Sequence, residues 1–496
     1  MAVGSPVRKE FLRRLAQIPA HGLGLSVDVY SPDLNSLRRA LQERQVPPDY
    51  LEVFRATATA LAAVRKQGGN GLLTYHGEGL WLTLPEAADD PLFRQEVCEV
   101  ARHLEVLQSA WLNHECATKY VAGYSFGTYL PPLYTKASAE VVADNTMLVQ
   151  SLLDRHCSLA NGSAPLVLLE MPPLTYFVAG ALTIPTFFSV VIEKVPCGLV
   201  LDVGHLWSVF RYTGAWRTTS LEQFVDAFLA EYPVDRVVEI HVAGLAIHES
   251  SLAVHDEPVE TRRHDTLPAW TDAHASPIPP VLFEMLDQIL SHPRLTSLKG
   301  LALEVDTKPI ELIVDEFARF TRRYAPVFPR VEADTSDSDE RRDTMQREPV
   351  SASIKQALGE AYDQYARVVA GRAKPDGPDW TQRPACIEGL EAYRSVYLPY
   401  EILHWGGDVV AMFPETCVCL NERDVPLSRF VSFWFRQPRP LSGSYDFFLL
   451  KIERFLEFVR EVVPELGDIA EREADELRQA YHSANEPVVE TASELA

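Results

Sequence analysis

Cys197-Gly-Leu-Val-Leu-Asp-Val-Gly-His205 is a short apolar run that closes on a carboxylate, with an imidazole three residues on. Four to six consecutive apolar residues are too few for a buried helix and suit a strand covered on both faces. The same pattern recurs outward in both directions. Gly22–Val29, Tyr50–Phe54, Leu72–His76, Ala110–His114, Leu166–Glu170, Val237–Val242 and Leu301–Val305 read as strands beside Gly198–Val203. Helix-like stretches lie between them, including Pro91–Leu107, Ser138–Asp154, Ser220–Tyr232 and Pro280–Ser291. Strand–helix alternation predicts a parallel sheet, and eight such units in about 300 residues predict an α/β fold of the (β/α)8 TIM-barrel type. The alternative is a doubly wound open sheet. No GxGxxG or Walker-type glycine loop follows any strand, which weakens a nucleotide-binding version of it.

The ends of the runs carry the chemistry. His76, His114, Glu170, Asp202 with His205, His241 and Glu304 close or follow six of the eight strands. In a TIM barrel those ends converge on one face, where active sites are built. Asp272 and His274 follow in the long connection after the His241 strand. Imidazoles and carboxylates without converging cysteines describe a site for iron, manganese or zinc rather than a thiolate cluster. Nine such groups exceed the needs of one ion and imply two or three, with a carboxylate to bridge. A single strand-end histidine is more often a hydrogen-bonded structural residue. A whole ring of ionisable groups is not, because charges are seldom buried unless paired or metal-bound. His248, His255 and His264 sit in a polar loop and read as solvated, and Cys417-x-Cys419, in a β-like alternation, is a weak metal motif.

Composition bounds the partners. The chain of 496 residues is 47% hydrophobic and 23% charged, which is ordinary globular usage. Its net charge of −23 argues against nucleic acid and against an anionic membrane surface as partners. Seven scattered cysteines form no disulfide framework and fit a reducing compartment, and the start, MAVGSPVRKEF, shows no secretory signal, so a cytoplasmic location is expected. Met171 to Ile192 is uncharged and long enough to span a bilayer, but Pro172, Pro173, Gly180 and Pro185 make it a buried loop and helix. The charged stretch Glu332–Glu348 reads as a linker. The expected division is a barrel at 1–328, a linker at 329–350, a second domain at 351–482 and a frayed tail at 483–496.

With the strands aligned, the first part resembles the multinuclear non-heme iron-dependent oxidative enzymes, a family that includes the methanobactin- and thiaglutamate-forming peptide oxidases. The resemblance covers roughly residues 20–325. It rests on Tyr75-His76-Gly77 with Gly79-Leu80, the His114 strand, LPPLYTKASAEVVADNTMLVQ at 130–150 and LLEMPP around Glu170. CGLVLDVGH at 197–205, VVEIHVAG at 237–244, TDAHASPIP at 271–279 and LALEVD at 301–306 complete the order. It implies two or three iron ions and dioxygen as co-substrate. His76 and His114 would hold one iron and Glu170 would bridge. Asp202, His205, His241 and Glu304 would complete the neighbouring spheres, and Asp272 and His274 would serve an exchangeable iron. Asp306 is the candidate for orienting a ligand or moving a proton. Two positions depart from the family: Met171 stands where Asn is usual, and Leu245 where His is frequent.

EAYRSVYLPYEILHWGGDVVAMFP at 391–414 and LSRFVSFWFRQPRPLSGSYDFFLLKIERFLEFV at 427–459 resemble the partner proteins that present precursor peptides to these oxidases. The second domain is therefore expected to be mainly helical or α+β, and Leu427–Phe435 and Phe447–Val459 are its aromatic-rich amphipathic segments. The implied activity is oxidation of a residue in a ribosomally made precursor peptide, cysteine foremost and a C-terminal Asp or Asn second. The rivals are a non-redox divalent-metal barrel, isomerase- or endonuclease-like, and a peptide-binding scaffold whose metals are structural. The first would need no oxygen and no attached domain. The second would close its sites with protein ligands.

Overall fold

The computed structural model describes residues 5–69, 71–173, 175–247, 270–326, 328, 349–377, 384–441 and 445–485. Its strands are β1 (Gly22–Val27), β2 (Tyr50–Phe54), β3 (Leu72–His76), β4 (Trp111–Glu115), β5 (Thr118–Val121) and β6 (Tyr124–Leu130), then β7 (Leu166–Glu170), β8 (Gly198–Asp202), β9 (Val237–Val242), β10 (Leu245–Ile247), β11 (Trp270–Asp272) and β12 (Gly300–Glu304). Eight of them close into one barrel in the order β1-β12-β9-β8-β7-β4-β3-β2, and every pairing in it is parallel. Closure through β1, which pairs with both β2 and β12, excludes the open doubly wound sheet. All eight expected strands are present, each within two residues of its expected ends.

Alternation along each strand sorts the side chains. At the amino-terminal end of the barrel, Tyr50, Trp111, Leu166, Leu168, Val200 and Ala302 form an apolar plug with Phe11 and Leu15 of the helix Pro6–Ala16. That parity, carried forward, turns Glu52, Asn113, Glu115, Glu170, Asp202 and Glu304 inward toward the carboxyl-terminal end. Apolar packing below and charge above thus occupy one barrel, in separate layers.

Two small antiparallel sheets leave the carboxyl-terminal face. β10 and β11 pair Leu245 with Asp272. β5 and β6 form a hairpin absent from the sequence reading, turned by Ala122 and Gly123, both at positive φ as a tight two-residue hairpin turn needs. The uncharged stretch beginning at Met171 is a buried loop followed by the helix Ile184–Ile192, as expected. Among the described residues no helix is long and apolar enough to cross a membrane.

Beyond residue 348 the described residues are helical, including Ala352–Val369, Pro384–Ala392, Leu398–His404, Ser428–Trp434, Phe447–Val462 and Gly467–Asn485. Cys417 and Cys419 lie on the helix Pro414–Glu422, not in a β-like alternation, and none of the seven cysteines is in a disulfide. These helices grip the β5–β6 hairpin. Trp434 Nε1 donates to the Ser125 carbonyl at 2.7 Å, Tyr393 OH to the Tyr129 carbonyl at 3.1 Å, and the Arg439 N–H to the Gly123 carbonyl at 2.7 Å. A Cβ on Gly127 would lie 2.4 Å from the Phe447 ring, so the approach is close enough to demand glycine. Ser483–Asn485, expected in the tail, continue the last helix. The segment 329–348, the loop with His248, His255 and His264, and residues 486–496 lie outside the described residues.

Candidate metal centre

Strand register places the inner groups side by side. Glu115 of β4 pairs with Glu170 of β7, and Asp202 of β8 with His241 of β9. Glu170 is the hub. Its Oε2 lies 3.3 Å from His76 Nε2 and accepts from Asn113 Nδ2 at 2.9 Å, while its Oε1 lies 3.5 Å from His205 Nδ1 and 3.6 Å from His241 Nδ1. Burial opposes its charge, but these imidazoles hold its carboxyl well below the usual range. His241 faces carboxylates on both sides. Nδ1 is 3.3 Å from Glu304, and Nε2 is 3.2 Å from Glu52 and 3.5 Å from Glu239.

Asp202 has two local roles. It caps the helix Val203–Tyr212, its Oδ1 accepting the His205 N–H at 2.6 Å. The cap fixes the one-turn offset that brings His205 Nε2 to 3.7 Å from Asp202 and 3.3 Å from Asp272. His205 Nδ1 lies 2.8 Å from the Met171 carbonyl, so the unusual residue at 171 contributes here through its backbone. His274 Nε2 lies 3.4 Å from Glu304 and 3.8 Å from Asp272, and its Nδ1 pairs with Asp306. Leu245 is the strand partner of Asp272, so the second family departure sits beneath the short sheet that carries this ligand candidate.

His114 was expected to share one iron with His76; its register partner is Leu169, on the outer parity of the barrel strands. Nε2 accepts the Leu80 N–H at 2.9 Å and Nδ1 donates to the Glu115 carbonyl at 2.9 Å, leaving no free lone pair. Burial lowers its pKa to about 4, which keeps the ring neutral. The inward position belongs to the next residue, Glu115, whose Oε1 is 3.8 Å from His76 Nε2. Glu52, Asn113, Glu115 and Glu239 were all missed by the sequence reading. Their signal was parity: each is a whole number of two-residue steps from an inward residue of its own strand or its neighbour.

The donor atoms fit metal ions. Three sets have ligand atoms within 4.8 Å of one another: Glu52, Glu239 and His241; Glu52, His76 and Glu304; Glu170, Asp202 and His241. Glu52 Oε2, His76 Nδ1, Glu115 Oε2, Asp202 Oδ2, Glu239 Oε2, Asp272 Oδ1 and both nitrogens of His241 are buried without a hydrogen-bond partner among the described residues. Buried polar atoms without partners are costly, and several in one cluster call for a ligand. Eight carboxylates (52, 115, 170, 202, 239, 272, 304 and 306) face four imidazoles here. That excess of negative charge calls for cations. Without them protons fill in: burial, with Glu304 and Asp272 nearby, raises Asp202 to about 7, and burial next to Glu52 raises Glu239 to about 8.

The rim is also ionic. Lys119 of β5 pairs with Glu78, just beyond His76, and Tyr129 of β6 donates to Glu78 at 3.3 Å. Burial and the Glu115 and Glu78 carboxylates push the Tyr129 phenol up, so it stays protonated.

Fold and donor set together define a class: a TIM barrel with clustered candidate metal ligands on its carboxyl-terminal face. The chain belongs to the family described as the RiPP precursor modification enzymes MbnB/TglH/ChrH, which matches residues 20–323. Among curated relatives, a UPF0276 protein of Paraburkholderia phytofirmans is 29% identical over 195 residues, covering 37% of this chain and 52% of its own length. A UPF0276 protein of Rhizorhabdus wittichii is 30% identical over 149 residues, 30% of this chain and 46% of the relative. The chain thus spans about half the length of these two relatives. An Anaeromyxobacter homologue is 25% identical over 290 residues, 54% of this chain and 90% of its own. Similar solved folds include endonuclease IV from Thermus thermophilus, 17% identical with a TM-score of 0.35, covering 62% of this chain and 99% of that one. A xylose isomerase domain protein from Planctomyces limnophilus is 12% identical at 0.35, covering 61% and 95%.

Proposed function

We propose that the protein is an iron- and dioxygen-dependent oxidase that modifies a residue of a ribosomally made precursor peptide, cysteine foremost and a C-terminal Asp or Asn second. The observation that carries this reading is the thiolate-free cluster of buried, unpartnered carboxylate and imidazole atoms, in a chain of a RiPP-modifying family. His76, Glu170, Asp202, His205, His241, Asp272, His274 and Glu304 would hold two or three irons, with Glu115 taking the place expected of His114. Bound iron supplies Lewis acidity, a position for a substrate thiolate or carboxylate, and the redox equivalents for reaction with dioxygen.

The chain's own residues set the geometry. The Met171 carbonyl fixes the His205 ring, Asp306 fixes His274, and Asn113 holds one oxygen of Glu170 in place. Lys119 and Tyr129 present a cation and a phenol at the rim, where a substrate carboxylate or backbone would lie. The helical residues 351–482 would serve peptide recognition, and tethering to the barrel raises the effective concentration of a bound peptide at the centre. A cytoplasmic site of action suits oxygen-sensitive ferrous chemistry and seven cysteines outside any disulfide.

The test is metal analysis with Mössbauer spectroscopy on protein from iron-supplemented cells, followed by mass spectrometry of a co-expressed neighbouring precursor. Two or three coupled irons per chain and an oxygen-dependent mass change are expected. Stoichiometric zinc or manganese, with iron unable to restore activity, would replace this reading with a non-redox barrel.

A further inference from the structure

The helical part carries a basic groove that the metal centre does not use. A cavity of about 560 Å³ opens between the helices Ser428–Trp434 and Phe447–Val462, lined by Arg436, Arg439, Arg454 and Arg460 with Glu457 and Glu461. Four guanidiniums against two carboxylates give a net positive lining, on a chain whose overall charge is −23. Arg436 is paired with Glu461 and Arg454 with Glu457, and the surplus falls on Arg439. Glu457 is shared between Arg454, at 2.9 Å, and Arg439, at 3.7 Å. Arg460 turns to Glu471, outside the lining. Arg439 Nη1 is buried without a hydrogen-bond partner among the described residues.

The groove is also well placed. Arg436 and Arg439 lie over the Phe433 ring at 4.7 and 4.5 Å from its centroid, which holds both forks in defined planes. Next to it is a recess lined by Tyr120, Gly123 and Ser125 of the β5–β6 hairpin together with Arg439 and Arg454. That hairpin reaches Glu78 beside the metal centre through Lys119 and Tyr129. A chain seated on the arginines has the hairpin as its path to the barrel mouth.

We propose that this groove binds an acidic segment of the precursor peptide through at least two of its carboxylates. The inference rests on a precursor peptide being the substrate. Exposed Arg–Glu pairs contribute little, so ligand carboxylates can replace Glu461 on Arg436. A long polyanion such as nucleic acid is repelled by the rest of the surface.

The experiment is fluorescence anisotropy with the full-length, metal-loaded protein. The probes are a labelled Asp-rich peptide in a Gly-Ser background and its Asn counterpart, with inorganic phosphate as competitor. The Asp peptide should bind more tightly, and weaken with salt. Arg436→Gln and Arg439→Gln should each cost about tenfold, while Glu461→Gln, which removes the internal competitor, should tighten binding. Equal binding of the Asn peptide, unchanged affinity in both arginine variants, or displacement by phosphate as readily as by unlabelled Asp peptide would overturn the proposal. Metal content is measured on the same samples. Selective Asp-peptide binding by protein that holds stoichiometric zinc or manganese, with iron unable to restore activity, would sink the oxidase reading and leave the groove standing.

Discussion

His114 and Glu115 are adjacent in sequence and opposite in environment, so substituting each separates fold from metal binding. His114→Ala removes the acceptor of the Leu80 N–H and the donor to the Glu115 carbonyl, both at 2.9 Å in a fully buried setting. Two backbone groups stranded without water cost about 1–3 kcal/mol each, and the vacated ring adds a cavity, so a loss of about 3–5 kcal/mol is expected. The candidate metal ligands themselves are untouched. Glu115→Gln does the reverse. Burial and the neighbouring Glu170 raise the pKa of Glu115, so its charged form is a burden to the metal-free fold. Removing that charge should stabilise the metal-free protein while weakening metal affinity by at least about tenfold to a hundredfold. Urea midpoints of the metal-free variants read the first quantity, and competition with a chromogenic chelator reads the second. Metal loss in His114→Ala with an unchanged urea midpoint, or wild-type affinity in Glu115→Gln, would refute the assignment.

Three further outcomes follow from the same geometry. Asp306→Asn frees the His274 ring, so one metal should be lost or weakened about tenfold to a hundredfold while the others remain, as counted by elemental analysis. In Gly244→Ala the new Cβ would lie 2.0 Å from the Ser276 carbonyl oxygen and 2.5 Å from that of Ala273, so the backbone bearing Asp272 and His274 must move. Its melting temperature should then respond less to added metal than the wild type's, and an unchanged response would dismiss the steric argument. Acidity supplies the last. Burial lowers His76, but Glu115, Glu170 and Glu52 outweigh it and raise it to about 10, and His205, His241 and His274 are raised likewise by their carboxylates. A raised histidine stabilises the fold fully below its unfolded pKa of about 6.5 and loses that contribution as pH climbs through the folded value. Metal-free protein should therefore lose melting temperature between pH 6.5 and 10, and metal-loaded protein much less, because ions replace those protons. Parallel losses in calorimetry would contradict this.

The eight strands were legible because a parallel barrel writes each strand as a short apolar run, and the ring was legible because the last residue of most runs is polar. Where the reading and the structure part, parity comes first. Taking the final polar residue of Ala110–His114 as the functional one ignores parity, and Trp111 inside the apolar plug fixes Asn113 and Glu115, not His114, as inward. Glu52 and Glu239 were passed over because each is a lone acid inside an apolar run. Its burial becomes intelligible only when Tyr50 OH is seen donating to Glu239 at 2.6 Å across the barrel and Ser26, on the neighbouring strand, to Glu52 at 3.1 Å. The β5–β6 hairpin did carry a local signal, Ala122-Gly123 between Tyr-rich alternations, but its purpose is non-local. One side is held by Trp434, Tyr393 and Phe447 of the helical part, and the other carries Lys119 and Tyr129 to Glu78. The helices are thus built into the wall of the centre. On the proposed reading, an acidic peptide held on the arginines would act on the same hairpin that borders the candidate metal centre, which would be the reason for one chain to carry both recognition and chemistry.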